Sequence, residues 1–111
     1  MWLATAAAFS LICSGTVGHE GDRGHGSQPF SKSLRIDLNA GKYCEGACRT
    51  VLGIQGTSSS VITLRNEDSG GHARHEVFNR DTNVLTGVST SGGSSKKWEG
   101  TCQVGPFSGF N

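Results

Sequence analysis

The sequence predicts an all-β protein, a small antiparallel β-sandwich or barrel of six to seven short strands held together by a disulfide. Apolar residues alternate with polar ones in several segments, the two-residue period of a strand with one buried face. Seventeen glycines, together with clusters of Ser, Asn and Asp, separate these segments at short intervals. No apolar stripe with helical spacing extends over three turns after residue 20.

The predicted β domain covers residues 34–111 and begins at "SLRIDL", in which Leu34, Ile36 and Leu38 alternate with polar residues. Five further strand segments follow, and turn-forming residues separate them. They are "CRTVLGIQG", "SSVITLRN", "ARHEVFN", "VLTGVST" and "KKWEGTCQV". The last segment places Trp98, Cys102 and Val104 on one face.

The first 18 residues are typical of a signal peptide. The apolar run from Trp2 to Ile12 is shorter than the roughly 20 residues that cross a bilayer, and its length suits a signal-peptide core. The alternative is a buried N-terminal helix. Residues 19–33 are polar and glycine-rich without a period, which predicts a flexible arm. We therefore expect a secreted, extracellular protein with no membrane segment after cleavage.

The cysteines support an oxidising compartment. Cleavage after residue 18 would remove Cys13 and leave three cysteines. We expect one disulfide, from Cys48 or Cys44 to Cys102, because a domain of roughly 90 residues has a small core and gains stability from a link between distant segments. One thiol would remain. We expect a monomer, with a dimer linked through the odd cysteine as the alternative.

Charge and motifs exclude several classes of function. The formal net charge of +1 gives no strong signal for nucleic acid or an anionic membrane. A nucleophile elbow and a phosphate-binding loop are both absent from the sequence. A zinc site built from Cys44, Cys48 and Cys102 with His72 or His75 is the metal-binding alternative. We expect no metal and no cofactor.

One short segment combines cations with an aromatic ring. Lys96, Lys97 and Trp98 are consecutive, and we predict them as candidate binding residues for RNA or a sugar. The alternative interpretation is a strand edge, where lysines prevent aggregation.

The C-terminal 60 or so residues resemble the fungal guanyl-specific ribonucleases. The resemblance rests on the order and spacing of Phe78, Asn79, Leu85, Gly87, Val88, Gly93 and Cys102. It implies a late cysteine bonded to the N-terminal region, and in a functional ribonuclease it would assign Glu45, Arg74 and His75 to the site. That family's later catalytic histidine is replaced within "STS", with Ser91 nearest its place, and its catalytic glutamate has no counterpart in "TSSSV". The resemblance therefore implies a non-catalytic relative, as among secreted fungal effectors.

These observations favour a small secreted binding protein that is not an enzyme. We expect it to be effector-like and to recognise a host protein, a cell-surface component or a cell-wall polysaccharide. A ribonuclease-like protein with a rearranged site and a metal-binding module remain the alternatives.

Overall fold

The computed structural model describes residues 7–21 and 24–110, which form one antiparallel sheet of nine strands. The strands are β1 (Ala8–Gly21), β2 (Gly24–Asp37), β3 (Lys42–Glu45), β4 (Val51–Gly53), β5 (Gly56–Thr57), β6 (Val61–Ser69), β7 (His72–Asn79), β8 (Val84–Ser91) and β9 (Ser94–Gly105). The all-β prediction is confirmed, but six to seven strands is too few. The prediction missed β1 and β3, and the segment "CRTVLGIQG" forms two short strands. In these ranges no helix is long and apolar enough to cross a membrane.

The sheet curls into a half-barrel with the strand order β4-β3-β2-β1-β9-β8-β7-β6-β5. Its two edge strands, β4 and β5, are separated in sequence only by Ile54 and Gln55. The Ile54 N–H donates to the carbonyl of Gly41, and the Gln55 N–H donates to the carbonyl of Thr63, both at 2.9 Å. This two-residue link therefore brings the two edges of the sheet together at one end.

The hydrophobic core fills that end of the curl. Each core strand contributes alternate residues to the inner face, as the pleat requires. The buried set is Phe9, Leu11, Cys13, Leu34, Ile36, Tyr43, Ile62, Leu64, Phe78, Leu85 and Cys102. Burying each large side chain of this kind contributes about 1.5–3 kcal/mol, so the core holds the sheet in its curled form.

Strand β1 lies in the middle of the sheet. It pairs with β2 from Ala8 to Gly21 and with β9 from Ser10 to Glu20. Residues 8–18 of the predicted signal peptide thus form most of this strand, while residues 1–6 lie outside the described residues. Cleavage after residue 18 would remove Phe9 and Leu11 from the core and separate β2 from β9.

The predicted flexible arm, residues 19–33, differs from the structure as well. Except for residues 22 and 23, which lie outside the described ranges, it completes the long hairpin of β1 and β2. Most of its described side chains are exposed or half-buried, so backbone pairing rather than an apolar face supports this part of the hairpin. Residues 26–29 are exposed on both faces, and such a segment has no period-two pattern for sequence analysis to detect.

The disulfides also differ from the predicted bridge between Cys48 or Cys44 and Cys102. Cys13 is bonded to Cys102, and Cys44 is bonded to Cys48. Cys13 and Cys102 lie directly opposite each other in the β1–β9 pair, whereas Cys44 and Cys48 flank a tight turn. No free cysteine remains among the described residues, so the structure has no odd thiol of the kind that was expected.

Candidate functional site

The inner face of the sheet changes from apolar to polar away from the core. On β7 the alternation that buries Phe78 also turns Glu76 and Arg74 inward, and on β9 the alternation that buries Cys102 turns Trp98 inward. The β1–β2, β6–β7 and β8–β9 hairpins end on this side. The polar region is therefore a concave surface framed by hairpins, and it forms the candidate site.

A buried carboxylate anchors this region. Glu76 is fully buried, and its Oε2 accepts hydrogen bonds from Lys32 Nζ and from Trp98 Nε1, each at 2.8 Å. Lys32 Nζ lies 3.3 Å from Glu45 Oε1 as well. Because hydrogen bonds to charged groups are short and strong, this network fixes four side chains from four different strands.

Trp98 forms the floor of the concave surface. Its indole lies directly over Gly87, the cross-strand partner on β8, where a Cβ atom would overlap with the ring. Two cations lie over the same ring system, Lys32 Nζ at 5.3 Å and Arg74 Cζ at 5.7 Å from the centroid. These are cation–π distances. Only 9% of Trp98 is exposed. The ring therefore lies beneath the two cations and contributes little surface of its own to solvent.

We expect Gly87→Ala to lower the free energy of unfolding by about 1–3 kcal/mol, the usual cost of overpacking a filled site. The new methyl group would displace the indole and lengthen its hydrogen bond to Glu76. Urea denaturation followed by Trp98 fluorescence measures the change. Gly105→Ala is the control, because nothing lies within 4 Å of the position of its Cβ. Equal stability of the two variants would contradict the close packing of Trp98 on β8.

A first cleft of about 240 Å³ opens above this floor. Its walls carry both apolar and cationic groups. The lining residues are Val17, Phe30, Lys32, Arg74, Ser89, Lys96 and Trp98. In the part of the chain that the structure describes, neither Arg74 nor Lys96 forms a salt bridge with a carboxylate. The cleft thus presents two cations that form no salt bridge with a described carboxylate.

A second cleft of about 440 Å³ adjoins the first and shares Arg74 with it. It is lined by Glu45, Ala47, Arg49, Thr50, Leu52, Arg65 and Arg74. The disulfide-closed turn from Cys44 to Cys48 forms one wall. Within that turn the Cys48 N–H donates to the carbonyl of Glu45 at 2.9 Å. Arg65 contacts Glu67 at 3.1 Å.

Tyr43 separates the second cleft from the core. Burial raises the pKa of its hydroxyl, and the neighbouring Arg65 guanidinium opposes this effect without cancelling it. The side chain therefore stays neutral at physiological pH. It adds no negative charge beside the arginines of the second cleft.

The structure brings together only some of the residues that the sequence suggested. Glu45 and Arg74 line the second cleft together, but His75 lies on the opposite face of β7, with its Nε2 3.6 Å from Asp68 Oδ2. Of the basic-aromatic segment, Lys96 and Trp98 line the first cleft, whereas Lys97 lies on the other face of β9 and lines a separate cleft of about 280 Å³.

The zinc site suggested by the sequence has no free thiols, because all three of its cysteines form disulfides. Among residues 7–21 and 24–110 no group of three or more His, Cys, Asp or Glu side chains is placed to hold a metal ion. The polar groups that line the two clefts are mainly cationic side chains and hydroxyls.

Sequence reasoning missed most residues of the site. Lys32 and Phe30 fell within the predicted arm, and Val17 fell within the predicted signal peptide. The charged residues Glu76, Arg49 and Arg65 were not among the predicted site residues either. A signal for Phe30 and Lys32 exists, because they continue the alternation of Leu34 and Ile36 toward the hairpin end.

The arrangement is suited to binding an anion, because a guanidinium and an ammonium converge on a partly apolar cleft. It offers no exposed pair of titratable groups with an assigned acid and base role. In comparisons with known proteins, no protein-family model matches the chain, and no curated protein or solved structure is similar enough to count as a match.

Proposed function

We propose that this protein is a small secreted binding protein that recognises an anionic group of its partner in the first cleft. The observation that carries the proposal is the pair of cations without a salt bridge to a described carboxylate, Arg74 and Lys96, on the wall of that cleft. Arg74 is held over the Trp98 ring, so its guanidinium is pre-positioned, and a planar guanidinium binds carboxylate, sulfate or phosphate through two hydrogen bonds. A surface that is set before binding loses less entropy when the ligand arrives.

Secretion is supported by the disulfides. All four cysteines of the chain form two intramolecular bridges, and such bridges persist mainly outside the reducing cytosol. We propose that the partner is a host protein or a cell-wall or cell-surface component, as for an effector-like protein.

Binding rather than catalysis is favoured by the state of the two glutamates. Glu76 is fully buried and bonded to Lys32 and Trp98, so a substrate has no access to its carboxylate. A general base must come within hydrogen-bond reach of the proton that it removes. Glu45 is more exposed, but its Oε1 is paired with Lys32.

The proposal is tested by titrating the protein with glucuronate and with inorganic sulfate, using isothermal calorimetry and Trp98 fluorescence in a Trp2→Phe background. We expect Arg74→Ala and Lys96→Ala each to weaken binding about tenfold, which corresponds to ~1.4 kcal/mol. Lys97→Ala is the matched control, since it removes the same charge from the opposite face of β9. Equal losses for Lys96→Ala and Lys97→Ala would show that only the net charge matters, and the cleft would not be the site.

A ribonuclease-like activity is the second candidate, and one observation favours it. Glu45 and Arg74 line the same cleft, where a carboxylate base and a phosphate-binding guanidinium could act on one phosphodiester. Incubation with a guanosine-containing RNA tests it, with Glu45→Gln expected to abolish cleavage and His75→Ala to leave it unchanged. The absence of cleavage by the wild-type protein would remove this candidate.

A further inference from the structure

We infer that the two clefts bind one linear acidic polysaccharide, whose chain runs from the first cleft past Arg74 into the second. The inference rests on the proposed function and extends it from a single anionic group to a polymer. Its physical basis is that Arg74 lines both clefts, so the two openings form one continuous concave path.

The distribution of charge singles out this path. The chain has ten Lys and Arg residues and nine Asp and Glu residues. Five of the cations line the two clefts, namely Lys32, Arg49, Arg65, Arg74 and Lys96, whereas Glu45 is the one acid that lines them. Glu76 and Glu67 pair with two of these cations, Lys32 and Arg65, so the concave face of a nearly neutral protein still has five cations against three acids. This local excess of positive charge attracts a polyanion.

Three of these cations are available to a ligand, and they follow the path. Lys32 is paired with Glu76 and Glu45, and Arg65 is paired with Glu67. No salt bridge to a described carboxylate occupies Lys96 in the first cleft, Arg74 at the junction or Arg49 in the second cleft. A polymer with an anionic group on successive units meets this row one cation at a time.

The size of the clefts also favours a polymer. The first measures about 240 Å³ and the second about 440 Å³, against roughly 300–1,000 Å³ for a pocket that encloses a drug-sized ligand. The first cleft is smaller than this range and the second lies near its lower end, so the two clefts together offer room for more than one sugar unit of a chain. An unbranched chain gains affinity by occupying both clefts, because the second contact is intramolecular once the first has formed.

The aromatic residues favour a polysaccharide over single-stranded RNA. Proteins that bind single strands stack the bases on exposed aromatic rings. Trp98 is only 9% exposed, with β8 backbone on one side and two cations over the ring. Phe30, the other aromatic residue that lines the clefts, is half-buried, so these walls present charge and hydroxyls more than stacking surface.

The test compares polygalacturonate (carboxylate), heparin (sulfate), poly(U) RNA and neutral dextran, each at the same chain length and ionic strength. Affinities are measured for the wild-type protein and for Lys96→Ala, Arg49→Ala and the outer-face control Lys97→Ala. We expect at least one acidic polysaccharide to bind tenfold or more tightly than poly(U), and dextran not to bind. Lys96→Ala and Arg49→Ala should each weaken polymer binding about fivefold to tenfold, whereas only Lys96→Ala should weaken binding of glucuronate.

The outcomes separate this inference from the proposed function. If Lys96→Ala weakens polymer binding and Arg49→Ala does not, the first cleft acts alone, and the inference fails while the proposed function stands. If glucuronate, sulfate and both acidic polymers fail to bind the wild-type protein, both fail. Tighter binding of poly(U) than of either polysaccharide would overturn the inference and point to a nucleic acid as the polyanion.

Discussion

Replacing Cys13 and Cys102 together by serine is expected to lower the free energy of unfolding by about 4–5 kcal/mol. The two cysteines are separated by 89 residues and join the N-terminal half of the sheet to the last strand. A link over so long a loop removes much of the entropy of the unfolded chain. Since single domains are typically stable by about 5–15 kcal/mol, the variant should unfold well below the melting temperature of the wild-type protein.

The second disulfide provides the matched control. Cys44 and Cys48 close a loop with a separation of only 4 residues, for which the same entropy argument gives about 2 kcal/mol. Thermal and urea denaturation of the two double variants compares them directly. A larger loss from Cys44→Ser with Cys48→Ser would contradict the assigned pairing. Peptide mapping without reductant should recover the Cys13 peptide linked to the Cys102 peptide.

The same bridge bears on the N-terminal segment. A mature chain that began at His19 would lack Cys13 and leave Cys102 without its partner. Recovery of the Cys13–Cys102 peptide pair from secreted material would therefore show that residues 8–18 remain in the folded protein as β1, and Edman sequencing of the same material gives its first residue.

The period-two pattern predicted the second part of β2, where Leu34 and Ile36 alternate with polar residues. Strands β6 and β7 were predicted less directly, from the β-branched and aromatic residues around Ile62 and Phe78. Strand β1 was missed because its outward Ile12, which is 62% exposed, lies between the buried Leu11 and Cys13 and interrupts the alternation. The mostly apolar run from Trp2 to Ile12 was therefore interpreted as a signal-peptide core.

The candidate site was less predictable, because it depends on which strands become neighbours. Lys96, Lys97 and Trp98 could be selected from the local sequence alone. The pleat of β9 then places Lys96 and Trp98 on one face and Lys97 on the other. Lys32 and Glu76 are 44 residues apart in sequence, and nothing in their local sequences connects them. Only the strand order, which places β2 and β7 across the same concave face, brings the ammonium to the carboxylate.

Loss of the buried pair of Lys32 and Glu76 gives the second large effect on stability. We expect Lys32→Met to lower the free energy of unfolding by about 3–5 kcal/mol, the cost of leaving a buried charge without its partner. Glu76 is 0% exposed, so after the substitution its carboxylate keeps only the hydrogen bond from Trp98. Lys97→Met, on the outer face of β9, is the control and should change stability by less than about 0.5 kcal/mol.

Replacing the other partner, as in Glu76→Leu, should lower the free energy of unfolding by less than Lys32→Met does. This asymmetry distinguishes a buried ion pair from simple loss of packing. In Glu76→Leu the Lys32 side chain retains Glu45 as a partner and 18% exposure, so its ammonium stays solvated. Adding Lys32→Met to Glu76→Leu removes both charges and replaces them with apolar groups, which restores stability relative to Lys32→Met alone. Urea denaturation of the wild-type protein, the two single variants and the double variant gives the coupling energy. Additive losses would show that Lys32 and Glu76 do not interact, and the floor of the first cleft would then lack the anchor that positions Trp98 and, above it, Arg74.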